Sequence, residues 1–214
     1  MKKLIYTLPL VLGLLIIHQT NASSYSTISA NSFKPFNAEK QRMAYITQLF
    51  YAFDPVCQKY GINTKVAITQ AIVEQGWIMR EDYRIFNIMS VSPNNSKVVY
   101  DHGERRYRRY RVYHSLEEAI EDYCKVLSSY PTYRAHGLFE TIDPHRQIKA
   151  IVDGGYATNV RYEELSLRIL NEFVSPIVDD LRTRKALLNQ QGFKKEAIYG
   201  INRNDIMSLR LPMD

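Results

Sequence analysis

The sequence predicts an α+β fold that is predominantly helical, and two observations carry that prediction. Apolar residues recur at three- and four-residue spacing in several stretches, with capping residues before them and Gly or Pro after them. Only Lys97 to Tyr113 carries two β-favouring runs around a Gly-containing turn. The 214 residues are 45% hydrophobic, enough for one good core, and they contain no low-complexity tract or internal repeat.

Residues 1–22 read as a secretory signal peptide. Lys2 and Lys3 precede an apolar run from Leu4 to Ile17, and Thr20-Asn21-Ala22 supplies the small-residue end, with cleavage expected after Ala22. The run is short for a membrane span, and no other segment could cross a bilayer, so no stable span is expected after cleavage. The expected location is the periplasm, the cell envelope or the exterior. Cleavage removes Lys2 and Lys3, taking the formal net charge from +6 to +4. A modest positive charge suits an anionic surface such as a cell wall, and export disfavours nucleic acid as a partner. Outside the cytoplasm Cys57 and Cys124 meet oxidising conditions, and both a disulfide and two buried thiols are open. Two Cys and five His without ligand spacing imply no metal, and no organic cofactor is implied.

Residues 23–36, rich in Ser, Asn and Thr, are expected to form a flexible leader. From Asn37, an expected N-cap, Ile46, Leu49, Phe50, Phe53, Val56, Cys57 and Tyr60 mark one amphipathic helix, which Pro55 should kink or divide. Gly61 ends it, and Asn63 or Thr64 caps a second helix through Val66, Ala67, Ile68, Ala71, Ile72 and Val73. Glu74 stands three residues after Ala71 and seven after Ala67, on the same face. A carboxylate in line with close-packed Ala is partly desolvated, which raises its pKa toward the range of a general acid. Gly76 and Trp77 close the segment.

Ile78 to Asn95 has no period and reads as a loop crossing the surface. In the hairpin that follows, Arg105, Tyr107, Arg109, Arg111 and Tyr113 share one face, and Arg106, Arg108, Tyr110 and Val112 the other. So little apolar surface excludes the hairpin from the core. Its Arg and Tyr suit sugars and carboxylates as well as nucleic acid, and a solvated ribbon is the plain alternative. Ser115 to Glu118 is a capping box for a helix with Leu116, Ile120, Tyr123 and Leu127 inward and Glu117, Glu121 and Asp122 toward solvent. Asp143-Pro144 opens a helix that Gly154-Gly155 terminates, and a last core helix carries Tyr162, Leu165, Ile169, Leu170 and Phe173. Residues 37–175 are therefore expected to form the main domain. Residues 176–214 add one more helix and a tail whose partner, if any, the sequence does not identify.

Asp54 to Ile62, Ala71 to Trp77, Tyr110 to Tyr113, Ser115 to Tyr123 and Gly155 to Thr158 occur together in the order seen in bacterial glucosaminidases. From about Ala44 to Phe173 the chain resembles that family of peptidoglycan hydrolases, glycoside hydrolase family 73. The resemblance implies a lysozyme-like helical lobe, a small β-hairpin lobe and a groove between them for a peptidoglycan glycan strand. The bond cut would be the β-1,4 link after N-acetylglucosamine. By the same resemblance Glu74 is the catalytic acid and Tyr156 the groove tyrosine, with Trp77, Phe86, Asn87 and Thr158 near the substrate. Tyr107 and Tyr110 of the hairpin join them as sugar-contacting rings. The chain departs from the family at Ile78, at Ile88 to Val91, and at Val99, where many members place a second catalytic Glu. An inverting glycosidase needs a base about 6.5 to 9.5 Å from its acid, leaving Asp101, Glu104 or the substrate acetamido group for that role. An N-acetylmuramidase, a wall-binding protein without turnover, and a module binding another protein or nucleic acid are the alternatives.

Overall fold

A computed structural model describes residues 38–101, 105–157 and 161–190. Seven α-helices, a short π-helical stretch and two strands make up these residues. They are α1 (Ala38–Tyr60), α2 (Thr64–Gln75), β1 (Ser96–Asp101), β2 (Arg106–Arg111), α3 (Leu116–Ser129), α4 (Pro131–Ala135), α5 (Pro144–Asp153), α6 (Tyr162–Ile169), the π-helical Leu170–Val174 and α7 (Ser175–Gln190). The α+β class, mainly helical with one hairpin, is the one the sequence predicts. The expected signal peptide, leader and Asn37 cap lie outside the described residues, as does the tail beyond Gln190.

Helix α2 is the centre of the molecule. Thr64, Val66, Ala67, Ile68, Thr69, Gln70, Ala71, Ile72 and Gln75 are all buried, so the helix is covered nearly all round rather than along one stripe. Helices α1, α5, α6 and the π-helical stretch surround it, and α3 packs on α1 and reaches α2 through Tyr123, whose hydroxyl donates to Gln70 Oε1. The start of α2 is pinned twice. Asn63 Oδ1 accepts from Lys65 N, and the buried Gln147 Oε1 accepts from Asn63 N at 2.7 Å while its amide nitrogen faces the carbonyls of Gly61, Leu138 and Thr141. Its end is set by Gly76, whose φ of 68° turns the chain sharply after the last helical residue.

Three expectations need correction. Pro55 does not divide α1, which runs as one helix from Ala38 to Tyr60. The proline lies on the exposed face, where the carbonyl it leaves without a partner can be hydrated. The segment Ile78 to Asn95 is not a surface crossing, because Ile85, Phe86 and Ile88 are buried. Its residues 88–90 also bond to β2, with Ser90 N donating to Arg109 O and Arg111 N to Ile88 O, both at 2.9 Å. The hydrophobic anchors here are too few to show a period, and backbone pairing supplies the rest of the order. Finally, Glu121 and Asp122 do not simply face solvent. Glu121 accepts from Tyr60 Oη at 2.6 Å and from Lys59 Nζ at 3.0 Å, and Asp122 accepts from Arg111 Nη1 and Tyr113 Oη, both at 2.6 Å. Asp122 thereby ties the base of the hairpin to α3.

The hairpin pairs Ser96 with Arg111 through to Asp101 with Arg106. Its main-core role is nil, as expected, yet its inner face is buried at Arg108 and Tyr110, with the Arg84 guanidinium 5.2 Å from the Tyr110 ring centre. The Cys57 and Cys124 thiols are free and buried where α1 meets α3, and the hydrogen bond between them, with burial, pushes the Cys57 thiol well up. Helix α7 continues the core: Val178 is fully buried in the same cluster as Phe50 and Leu170.

Candidate active site

Glu74 occupies the last turn of α2, two residues before the backbone changes direction at Gly76. Its position on a helix buried nearly all round leaves the carboxyl only partly open to solvent. Two side chains reach it from different elements. Asn87 Nδ2, from the loop after α2, donates to Oε2 at 3.1 Å and lies 3.3 Å from the Glu74 backbone oxygen. Tyr162 Oη, at the start of α6, donates to Oε1 at 3.2 Å. Burial raises the Glu74 pKa and outweighs these two donors, which favour the charged form, so that it is pushed up to about 7. A carboxyl so placed is protonated in a large share of molecules near neutral pH and can give up that proton to a bound group.

Of two buried tyrosines beside this carboxyl, Tyr162 bonds to it and Tyr156 lies near enough to feel its charge. Tyr156 is buried, with Oη 3.4 Å from the Phe86 carbonyl oxygen and its ring 5.9 Å from that of Tyr162. Burial and the nearby Glu74 charge hold both phenols well above their usual pKa, so both are neutral donors. Gly154, just before this segment, has no room for a side chain, since a Cβ there would meet Tyr133 Cδ1 at 2.5 Å.

The structure thus brings Glu74, Asn87 and Tyr156 together, and it adds Tyr162, Gln70 and Gln75. In the sequence Tyr162 reads as a core residue, and neither glutamine is singled out. Gln70 lies four residues before Glu74 on the same face of a buried helix, a polar residue among apolar ones, and that spacing was the available signal. The other expected residues are spread more widely. The Phe86 ring stacks on Tyr123 at 4.0 Å inside the core and presents no open face. Trp77 packs edge-on against Tyr45 and Phe173, with the Arg42 guanidinium over it and over Phe173. Tyr110 is buried beneath the hairpin, whereas Tyr107 is 73% exposed and pairs with Tyr100 at 5.1 Å between ring centres. Asp101 ends β1 opposite Arg106, and Val99 pairs with Arg108. Glu104 and Thr158 lie outside the described residues. Among the described residues no group of three or more His, Cys, Asp or Glu could hold a metal ion.

Comparison with known proteins places this arrangement. The model of the Glucosaminidase family, described as mannosyl-glycoprotein endo-beta-N-acetylglucosaminidase, matches residues 50–174. The peptidoglycan hydrolase FlgJ of Escherichia coli K12 is 26% identical over 148 residues, covering 62% of this chain and 47% of FlgJ. The chain therefore spans about half the length of that relative. Among solved structures, a peptidoglycan hydrolase from Sphingomonas sp. A1 is 27% identical with a TM-score of 0.55, over 64% of this chain and 94% of the other. The glycoside hydrolase domain of Salmonella typhimurium FlgJ has the same fold, at a TM-score of 0.55, 21% identity and coverage of 70% and 98%. With Glu74, Asn87, Tyr156 and Tyr162 all inside the matched region, the chain belongs to the Glucosaminidase family.

Proposed function

We propose that the protein is an exported peptidoglycan hydrolase that cleaves the β-1,4 bond after N-acetylglucosamine, with Glu74 as the general acid. The observation that carries this reading is the Glu74 carboxyl itself, half-buried, gripped by Asn87 and Tyr162, and pushed up to about 7. Protonated Glu74 gives its proton to the glycosidic oxygen as the C1–O bond breaks. Positive charge then grows on the sugar ring, and the new Glu74 carboxylate is stabilised by the two donors already facing it. A water oxygen bonds to C1 and loses a proton to a base, and Glu74 is reprotonated from solvent. Asp101, the last residue of β1, or Glu104 is the candidate base, with the substrate acetamido group as the other route. Tyr156 positions the sugar or faces the developing cation. The exposed Tyr107 offers a ring to a pyranose, while the burial of Phe86 and Tyr110 argues for supporting roles beneath the groove.

The relatives that carry the name peptidoglycan hydrolase support the substrate class, and residues 1–22 support delivery to the periplasm or envelope. A wall-binding protein without turnover is the second reading, favoured by Val99 opposite Arg108 where a hairpin acid is expected. One assay separates them. Protein lacking residues 1–22 and its Glu74→Gln variant are incubated with purified peptidoglycan, and new reducing ends are identified by mass spectrometry. N-acetylglucosamine ends from wild type alone are expected. N-acetylmuramic acid ends would make the protein a muramidase, and no ends beyond those of the variant would sink the enzyme reading.

A further inference from the structure

Two hydrogen-bond chains converge on Glu74, and they differ in one physical respect. In the first, Arg80 Nε donates to Gln75 Oε1, Gln75 Nε2 donates to Asn87 Oδ1 at 2.7 Å, and Asn87 Nδ2 donates to Glu74 Oε2 at 3.1 Å. In the second, Tyr123 Oη donates to Gln70 Oε1, Gln70 Nε2 donates to Tyr162 Oη at 3.2 Å, and Tyr162 Oη donates to Glu74 Oε1 at 3.2 Å. The first begins at a guanidinium, which has donors and no acceptor. That fact orients everything after it: Gln75 must turn its oxygen to Arg80 and its nitrogen to Asn87, and Asn87 must turn its nitrogen to Glu74. The second chain begins and passes through hydroxyls, which rotate and can either give or accept.

We propose that Arg80 and Gln75 are positioning residues that lock Asn87 as a one-way donor to Glu74 Oε2, leaving Oε1 to carry the proton that is transferred. The inference rests on reading Glu74 as the acid. Further geometry supports it. Gln75 is 6% exposed, and both ends of its amide are engaged, so it cannot turn without burying an unpaired group. Asn87 holds a φ of 49°, a left-handed conformation that needs support from its surroundings, and the Gln75 bond gives it. The titratable groups facing Glu74 are Tyr162 of α6 and Tyr156 of the segment after α5, both neutral throughout the relevant range, so no neighbouring ionisation masks the contribution that the Asn87 donor makes, beside that of Tyr162, against burial.

The test uses Gln75→Leu, Arg80→Ala and the double variant, with two readouts. The first is the pH dependence of kcat and KM on soluble glycan chains. Loss of an oriented donor to the charged form moves the alkaline limb up by about half a pH unit, lowers kcat about threefold and leaves KM unchanged. The double variant should match Gln75→Leu rather than sum the two changes, since both act through Asn87. The second readout is a carbon NMR titration of the Glu74 carboxyl, which needs no turnover. An upward shift of the same size is expected in Gln75→Leu. An unmoved titration, or additive effects in the double variant, overturns the inference. A shifted titration in a protein that releases no reducing ends keeps the oriented chain and removes the hydrolase reading instead.

Discussion

At Glu74 the site and the stability of the fold pull in opposite directions. A carboxyl with an ordinary value near 4.5 is pushed up to about 7 in the folded chain, so ionising it costs the native state more than the unfolded one. Stability from this group is complete below about pH 4.5 and falls as pH rises through about 7, after which the loss is constant. Glu74→Gln should therefore unfold at higher temperature than wild type at pH 8, by an amount on the order of 3 kcal/mol, with the gap closing at pH 4. Thermal scans at the two pH values check this, and parallel behaviour at both would refute it. The same pKa predicts that hydrolysis declines above about pH 7, as the acid loses its proton. Tyr162→Phe deletes the donor to Oε1 and leaves the buried Gln70 amide nitrogen short of its partner. It should cost about 1 to 3 kcal/mol in urea denaturation and move the alkaline limb upward.

Among the elements, helices whose ends carry polar signals and the hairpin around its Gly-containing turn were legible, and the loop that pairs with β2 was not. Asn63, Ser115 and Asp143 each cap a helix through the side chain, as their positions in the sequence foretold. The capping box at Ser115 is shifted by one residue, because Glu118 reaches back to His114 N at 2.8 Å rather than to Ser115. Nothing in the residue pattern announced the five-residue π-helical stretch Leu170–Val174, since its period differs little from the flanking helices over one turn. The packing of Phe86 on Tyr123 was equally hidden, because contacts between loop and core leave no trace in periodicity. The helix turn at Gly154 offers a test at this scale. A methyl there overlaps Tyr133 at 2.5 Å and meets the Ala150 carbonyl at 3.0 Å, so Gly154→Ala should destabilise by about 1 to 3 kcal/mol. Since the same turn leads into Tyr156, lost activity with unchanged stability would contradict a packing origin.

For the molecule as a whole, the family match ends at residue 174 but the physical unit does not. Asp54, buried in α1, accepts from Thr64 Oγ1 of α2 at 2.9 Å and from Lys185 Nζ of α7 at 3.0 Å, with Arg182 Nη2 at 3.5 Å. The carboxylate thus joins the first, second and last described helices. In the sequence the main domain reads as ending at residue 175, because Pro176 reads as a break and a long-range ion pair has no local signature. Burial alone would raise the Asp54 pKa, but the hydrogen bonds from Lys185 and Thr64 and the charges of Lys185 and Arg182 outweigh it and hold the carboxyl below its usual value. The sign is opposite to that at Glu74: this group stabilises the fold above the unfolded value and stops doing so as pH falls through the lower folded one. Asp54→Asn should cost about 3 kcal/mol at pH 7, since it strands two cations against a buried neutral amide, and progressively less as pH falls through the lowered folded value. Loss of α7 packing should accompany it, seen as faster amide exchange at Val178 and its neighbours. If exchange in α7 stays at the wild-type rate while the rest of the chain loosens, then α7 is held by its apolar contacts alone and the catalytic unit does end near residue 174.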